Sequence, residues 1–431
     1  MGSVTAQRVL DALPTDVPRL TGAACEAWSV GGEPPQAVVE PRDAAEAALV
    51  LASLAASPVR VACVGAGHHL AASLHAAPVD LIVSARRLAG ITHYEPADLT
   101  FTAGAGTARA DLDAATAPHR QMLALDPPGA SRATLGALAA TALAGPLVTS
   151  YGRTRDLLLG ATLVTGDGRV LRLGGRVVKN VAGFDLLKLA VGGRGRLGLL
   201  TDISARLHPR PVADELRVFA GDAREVTVLA RALATAPVVP TALEVRPASS
   251  LPGGGAGWCV LLRMAGGAEA TEAALAILAA RAGDPQPVRA LHGAEATAFA
   301  DTAAERPVPG LSLRATLPPA ALDVLLGEVA ALADRTGAAA GVRILPTEGL
   351  ATLDLGPDAV ALVEPDLPGV LATARHRLAQ RGGSLTLTAA PASVVRAFPV
   401  FAPDAGRDAL LARVIAGFDP GGVLAGSGGL P

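Results

Sequence analysis

Residues 61–69 read VACVGAGHH. A buried-strand pattern running into a glycine turn can aim several backbone N–H groups at one point. Such a nest binds anionic oxygens, a pyrophosphate among them. Glycine is needed there because a Cβ would block close approach. Taken alone, the pattern equally fits an ordinary strand-to-loop turn. A second stretch, LDPPGASRATLGALAATALAGP at 125–146, joins a proline pair and a Thr-Leu-Gly step to a helix of small residues. It offers a surface of close approach, with Thr134 as a hydrogen-bond donor and Gly136 leaving room for a ring or a phosphate. A small-residue helix packed on a sheet would read the same way. A third, GGRVVKNVAGFDLLKLAVGGRGRLG at 174–198, sets bare backbone and basic residues beside a short apolar helix. That combination suits an anionic cofactor, or a succession of tight turns.

Other reactive side chains are scattered. Cys25, Cys63 and Cys259 form no CxxC pair, so they read as buried free thiols and not as zinc or iron–sulfur ligands. Beyond residue 212 only His292 and His376 occur, far apart and without metal-ligand spacing, so no metal site is expected. Arg314 and Arg343 fall on expected strands and are candidate carboxylate holders, though sheet-face arginines look alike. Arg155-Asp156 reads as a surface ion pair. No catalytic residue is assigned. The net charge of −2, the absence of a Lys/Arg block and the 3% aromatic content argue against nucleic-acid binding. The apolar excess is alanine, leucine and valine. The longest weakly polar run, 133–148, is too short to span a bilayer and is broken by Gly145-Pro146. No secretory leader is evident at the start. The expectation is a cytoplasmic protein without direct membrane insertion, associated with a membrane, if at all, through partners.

The elements that must position these residues fall into two rhythms. The 431 residues exceed what one core usually serves. From 36 to 210 short β-rich runs alternate with Ala-rich helices. A helix is expected over 42–57, with Asp43 near its positive end. The clearest hairpin is 157–175, around the turn GDGR. Residues 212–400 read βαββα twice over, an antiparallel sheet with helices on one face. The stretch 284–310 carries no clear signal. The Pro pair of HPRP marks a boundary, giving expected units of 1–211, 212–400 and a docking tail at 401–431.

In this order and spacing the motifs resemble one family, the flavoproteins of vanillyl-alcohol-oxidase type, and within it the FAD-binding subunits of glycolate oxidases. The likeness runs from about residue 35 to 211. It rests on YEPADLTFTAGAGT, DPP…ATLG, YGRTRDLLLG, GGRVVKNVAGFDLLKL and LGLLTDISARLHPRP. The tail FDPGGVLAGS is similar to the family's closing segment, with its Asn-Pro-Gly-Arg end replaced.

The resemblance implies an α+β fold: an FAD-binding domain of p-cresol methylhydroxylase (PCMH) type with two α+β subdomains, followed by a ferredoxin-like antiparallel cap. It implies FAD as cofactor. Gly65, Ala66, Gly67, His68 and His69 would contact the pyrophosphate. Pro128, Thr134, Leu135, Gly136 and Gly145 match the second cofactor segment, and Gly183, Gly198 and Leu200 the third, with Lys179 facing cofactor or solvent. FAD is expected to be non-covalent. His68 occupies the place that berberine-bridge relatives bond to the flavin, so a covalent link there stays open. The chain departs from the family at Ala137, Leu147-Val148, Gly193 and Arg196, which removes hydroxyl donors near the cofactor. The implied function is the FAD-binding subunit of a glycolate or other 2-hydroxy-acid dehydrogenase, partnered by a catalytic flavoprotein subunit and an iron–sulfur subunit. A stand-alone FAD oxidoreductase of a hydroxy acid or sugar, and a scaffold subunit that has lost FAD, are the alternatives.

Overall fold

The computed structural model describes residues 7–8, 10–11, 13–67, 70, 74–176, 184–304, 310–337, 341–358, 360 and 366–425. The fold is α+β, built on two main cores.

The first core begins with a four-stranded sheet. Arg19–Thr21 (β1), Ala37–Val39 (β2), Val61–Val64 (β3) and Leu81–Ser84 (β4) lie in the order β1-β2-β4-β3, with β3 and β2 parallel to β4. The helix Ala44–Leu54 covers it, started by Asp43, whose carboxylate accepts from the Glu46 N–H. Its Ala47, Val50, Leu51 and Leu54 are buried at the spacing of one helical face. A second, antiparallel sheet comprises Ile91–Glu95 (β5), Thr100–Gly104 (β6), Leu158–Val164 (β8), Val170–Gly174 (β9) and Leu199–Arg206 (β10), in the order β5-β6-β10-β8-β9. The expected hairpin is β8–β9. Between them Gln121–Met122 (β7) pairs with His208–Pro209 (β11). One continuous apolar cluster joins both sheets through Leu51, Leu81, Phe101, Leu163 and Ile203.

The second core is a single eight-stranded sheet: Ala213–Gly221 (β12), Ala242–Pro247 (β13), Trp258–Gly266 (β14), Arg289–His292 (β15), Leu311–Thr316 (β16), Val342–Leu345 (β17), Leu350–Leu355 (β18) and Ser384–Ala389 (β19). Its order, β15-β12-β14-β13-β17-β18-β16-β19, places the two βαββα passages side by side. The stretch 284–310, silent in sequence, supplies β15 and the helix Gly293–Ala304, which buries Ala296 against Leu216, Val218 and Leu261. A strand read at AVALVEP lies mostly outside the described residues.

Strand alternation gives this sheet two unlike faces. Leu243, Val245, Leu262, Leu313, Ile344, Leu353 and Leu387 pack under the helices Ala223–Ala234, Ala268–Ala282, Leu322–Thr336 and Leu367–Ala379. The other face carries Asp214, Arg263, Glu244, Arg343, Thr352, Asp354, Ser312 and Arg314. It turns toward the first core. Two buried ion pairs settle part of its charge, Arg263–Asp214 at 2.6 Å and Arg343–Glu244 at 2.8 Å. Between the cores run Arg153–Glu348 at 2.7 Å, Thr149 Oγ1–Thr347 Oγ1 at 3.0 Å and a bond from Ser150 to the Pro240 carbonyl at 2.9 Å.

The helix Ala405–Phe418 returns to the first core, where Val414, Ile415 and Phe418 pack. Beyond it the buried Asp419 carboxylate accepts from the N–H groups of Val423 and Leu424 at 3.2 and 2.8 Å. That turn presents residues 423–425 to the edge of β3, where Val61 N–H bonds Val423 O at 2.8 Å and Ala425 N–H bonds Val61 O at 2.7 Å. No helix among the described residues is long and apolar enough to cross a membrane.

Replacing Asp419 with alanine strands two backbone donors and should cost about 2–3 kcal/mol. Amide hydrogen exchange of Ala425 should accelerate far more than that of Leu163. Unchanged protection at Ala425 would show that the strand stays docked without the carboxylate.

Candidate functional site

The charged face of the eight-stranded sheet roofs a cavity of about 270 Å³ whose floor is the first core. Three segments form the floor. The turn after β3 contributes Gly65, Ala66 and Gly67; the second segment contributes Pro128, Thr134, Gly136 and Ala137; the third contributes Gly193, Arg194, Gly195, Gly198 and Leu200. The residues expected at the three cofactor segments therefore converge on one cavity, with three kinds of exception. Leu135 is buried in the apolar core and does not line it. Gly145 lines a side pocket instead. His68, His69 and Gly183, with Lys179, lie outside the described residues.

The glycines serve chain-to-chain approach as much as ligand approach. Gly136 N–H bonds the Ala105 carbonyl at 2.7 Å, and a Cβ there would stand 2.9 Å from that oxygen. Gly198 has φ +141°, and its Cβ would fall 2.0 Å from the Val164 carbonyl oxygen. Gly67, at φ +83°, rests on the Trp28 ring. Thr134 caps the helix Leu135–Thr141, its Oγ1 accepting from Ala137 N–H at 3.2 Å. A Cβ on Gly65 would lie 2.7 Å from that same oxygen.

Polar groups at the cavity come from both cores. Arg194, in the left-handed region at φ 50°, reaches across to donate to the Thr388 carbonyl at 3.1 Å. Burial, and the nearby Arg314, lower its pKa to about 10. Ser312, Arg314, Thr352 and Asp354 line the roof, with the Ser312 hydroxyl bonded to the Asp354 carboxylate. His75 is 7% exposed and lines the cavity, and its Nδ1 has no hydrogen-bond partner. Burial first, then Arg60 and Arg196, lower its pKa to about 4. Cys63 also lines the cavity, and burial pushes its thiol up to about 12.

The side pocket, about 60 Å³, is bounded by Asp126, Gly145, Arg153, Arg314 and Glu348. Arg314 lines both spaces and so marks where they meet. The Asp126 carboxylate accepts from Leu147 N–H at 3.1 and 3.2 Å, and burial, the largest influence, raises its pKa to about 6. Of the two candidate carboxylate holders, Arg343 is taken by Glu244 and Arg314 faces the cavity. His292 is exposed beside Glu215, and His376 contacts Gln380. Among the described residues no cluster of three His, Cys, Asp or Glu could hold a metal ion. Arg155–Asp156 is exposed at 3.9 Å. Sequence reasoning did not single out His75, Arg194, Thr352 or Asp354. The period-two alternation of LSLRAT, ATLDL and SLTLT was the signal for the roof residues. For His75 no signal exists.

The sequence profile of the FAD binding domain family matches residues 35–174. That match covers about a third of the chain. FAD is its cofactor, and the lining fits that group: small residues expose backbone, and the buried His75 Nδ1 awaits a partner. The glycolate oxidase subunit GlcE of Escherichia coli (strain K12) is 46% identical over 125 residues, 29% of this chain and 36% of the relative. The glycolate oxidase subunit GlcD of Bacillus subtilis (strain 168) is 29% identical over 177 residues, 41% of this chain and 38% of the relative. The matched stretches thus span little more than a third of either relative. Among solved structures, p-cresol methylhydroxylase with substrate bound superposes with a TM-score of 0.78 at 12% identity, covering 98% of this chain and 96% of that one. This likeness extends the fold assignment over the second core.

His75 and Asp126 make opposite contributions to acid stability. A histidine held below its unfolded value of about 6.5 stabilises the fold above that pH, and the contribution is lost as pH falls through about 4. His75→Leu should therefore lose less stability than the parent between pH 6.5 and 4.5, by about 2–3 kcal/mol in urea unfolding. A carboxyl held above its unfolded value works the other way: its contribution is present below about pH 3.8 and lost as pH rises through about 6. Asp126→Asn should be more stable than the parent at pH 7.5, by about 2 kcal/mol, with the advantage gone at pH 4. Parallel pH–stability curves for parent and variant would contradict either assignment.

Proposed function

We propose that this chain is the FAD-binding subunit of a multi-subunit oxidase or dehydrogenase of glycolate or another 2-hydroxy acid. One observation carries the reading: a glycine-floored cavity in a chain that shares 46% identity over 125 residues with the subunit GlcE. Bound FAD would supply the acceptor for one hydride equivalent, two electrons with a proton. The chain's own residues bind and shield it. The turn Gly65, Ala66, Gly67 holds the pyrophosphate with backbone N–H groups, continuing into His68 and His69. Pro128, Thr134, Gly136, Gly198 and Leu200 form the bed; Gly183 lies outside the described residues. Link chemistry at His68 is part of this proposal only as an alternative to non-covalent binding. The roof strands exclude water from above.

In this reading electrons pass between a catalytic flavoprotein partner and an iron–sulfur subunit, and the complex is cytoplasmic, reaching a membrane through partners. The names of the relatives, glycolate oxidase subunits in two bacteria, support such a complex.

The first measurement is the visible absorbance spectrum of the chain purified alone. Two flavin bands near one FAD per chain are expected. Gly65→Val should lower flavin content at least tenfold with unchanged circular dichroism, because its Cβ would press on Thr134 Oγ1 beside the turn. A colourless, folded parent would reduce the turn to a structural one.

A further inference from the structure

We propose that Ser84 is a positioning residue for the cofactor: its buried hydroxyl holds the Gly65 carbonyl and so fixes the direction in which the Ala66 N–H is offered to the FAD pyrophosphate. The proposal rests on the reading that the turn at residues 65–67 holds that pyrophosphate, and it deepens that reading by naming what sets the turn.

The sheet stops one residue too early to set the turn itself. The parallel ladder between β3 and β4 ends at the pair Val64–Ser84, so Gly65 is the first residue past it. Its carbonyl is taken by a side chain. Ser84 Oγ donates to Gly65 O at 2.8 Å, and the same oxygen accepts from Arg86 N–H at 3.2 Å. A serine hydroxyl has a single proton. With a lone pair engaged by Arg86, that proton is left for Gly65, and the bond has one sense only. Ser84 is 0% exposed, so solvent does not compete for the proton.

The peptide plane carries the effect to the cavity. In a trans peptide the carbonyl and the following N–H point to opposite sides. With the Gly65 carbonyl turned to Ser84, the Ala66 N–H is turned away from it. Ala66 lines the main cavity, and among the described residues neither its N–H nor that of Gly67 has a hydrogen-bond partner. Such donors suit a phosphate oxygen. Glycine at residue 65 permits more than one orientation of this peptide, and the hydroxyl selects one. Ser84 does not itself line the cavity, so it acts through Gly65 and Ala66.

The far end of the turn is held from the same segment. Gly67 rests on the Trp28 ring, where an added Cβ would stand 3.0 Å from it. The Arg86 guanidinium lies 5.8 Å over that ring and is fixed by the buried Glu40 at 2.8 Å. Ser84 and Arg86 therefore brace the two ends of the turn from the start of one short connection, Ala85–Arg87.

The test compares the full chain with Ser84→Ala and Ser84→Thr. FAD affinity is read by titrating flavin-stripped protein and following flavin fluorescence, and the bound pyrophosphate by phosphorus nuclear magnetic resonance. Ser84→Ala should bind FAD about tenfold more weakly, the effect of one buried hydrogen bond. At saturation it should shift a phosphorus resonance while the flavin absorbance bands stay in place. Ser84→Thr, which keeps the hydroxyl, should match the parent in both readouts. Weaker binding with unmoved phosphorus resonances would make the serine merely structural and overturn the proposal, as would parent affinity in Ser84→Ala. Should Ser84→Ala not fold, Ser84→Cys, close in volume and only a weak donor, carries the same expectation. Gly65→Val separates the proposal from the reading beneath it. Flavin lost from Gly65→Val but held normally by Ser84→Ala overturns the positioning role alone, whereas flavin held normally by both overturns the reading of the turn as well.

Discussion

The architecture depends on the alternation of side chains along a strand. A sheet that buries both faces must satisfy both. In the eight-stranded sheet one face is leucine and valine under four helices, and the other is a field of arginine, aspartate, glutamate and threonine. Burying that field is costly unless the charges pair or meet a ligand. Arg263–Asp214 and Arg343–Glu244 meet the requirement internally. Arg314 and the Thr352 hydroxyl stand at the middle of the roof, above the glycine floor.

The floor obeys a complementary constraint. Side chains are stripped from it so that strands, turns and a short helix can come together at carbonyl-to-Cα distance, as Gly136 does on Ala105 and Gly198 on Val164. The same bareness leaves backbone accessible to a flat ligand. Packing and ligand binding therefore ask for the same residue type here. A glycine-rich stretch in this chain is a statement about both, and neither can be read off alone.

Much of this was legible in the sequence. The hairpin β8–β9, the twin βαββα passages and the helix capped by Asp43 follow from local periodicity and turn chemistry, which survive without tertiary context. The three segments that meet at the cavity were legible as a set because the glycine-rich stretches stand out in the sequence. His75 was not, since a lone histidine among alanines gives no sign of burial. The partition of arginines was not legible either: Arg314 and Arg343 have the same strand context, and only the neighbouring strands, which bring Glu244 to one and the threonines Thr352 and Thr386 to the other, separate them. The stretch 284–310 lacked a strong apolar period because β15 is an edge strand with exposed residues and its helix buries chiefly alanine.

The edge of β3 is completed by residues 423–425, drawn from the far end of the described chain and set by the Asp419 turn. During synthesis β3 and the glycine turn after it emerge long before residues 423–425. Until they arrive, the edge of β3 at Val61 carries open hydrogen-bonding groups. The sheet behind the turn is therefore complete only after both cores have been translated, and a ribosome-bound fragment ending at residue 211 would present the same glycines in a frame that is not yet closed.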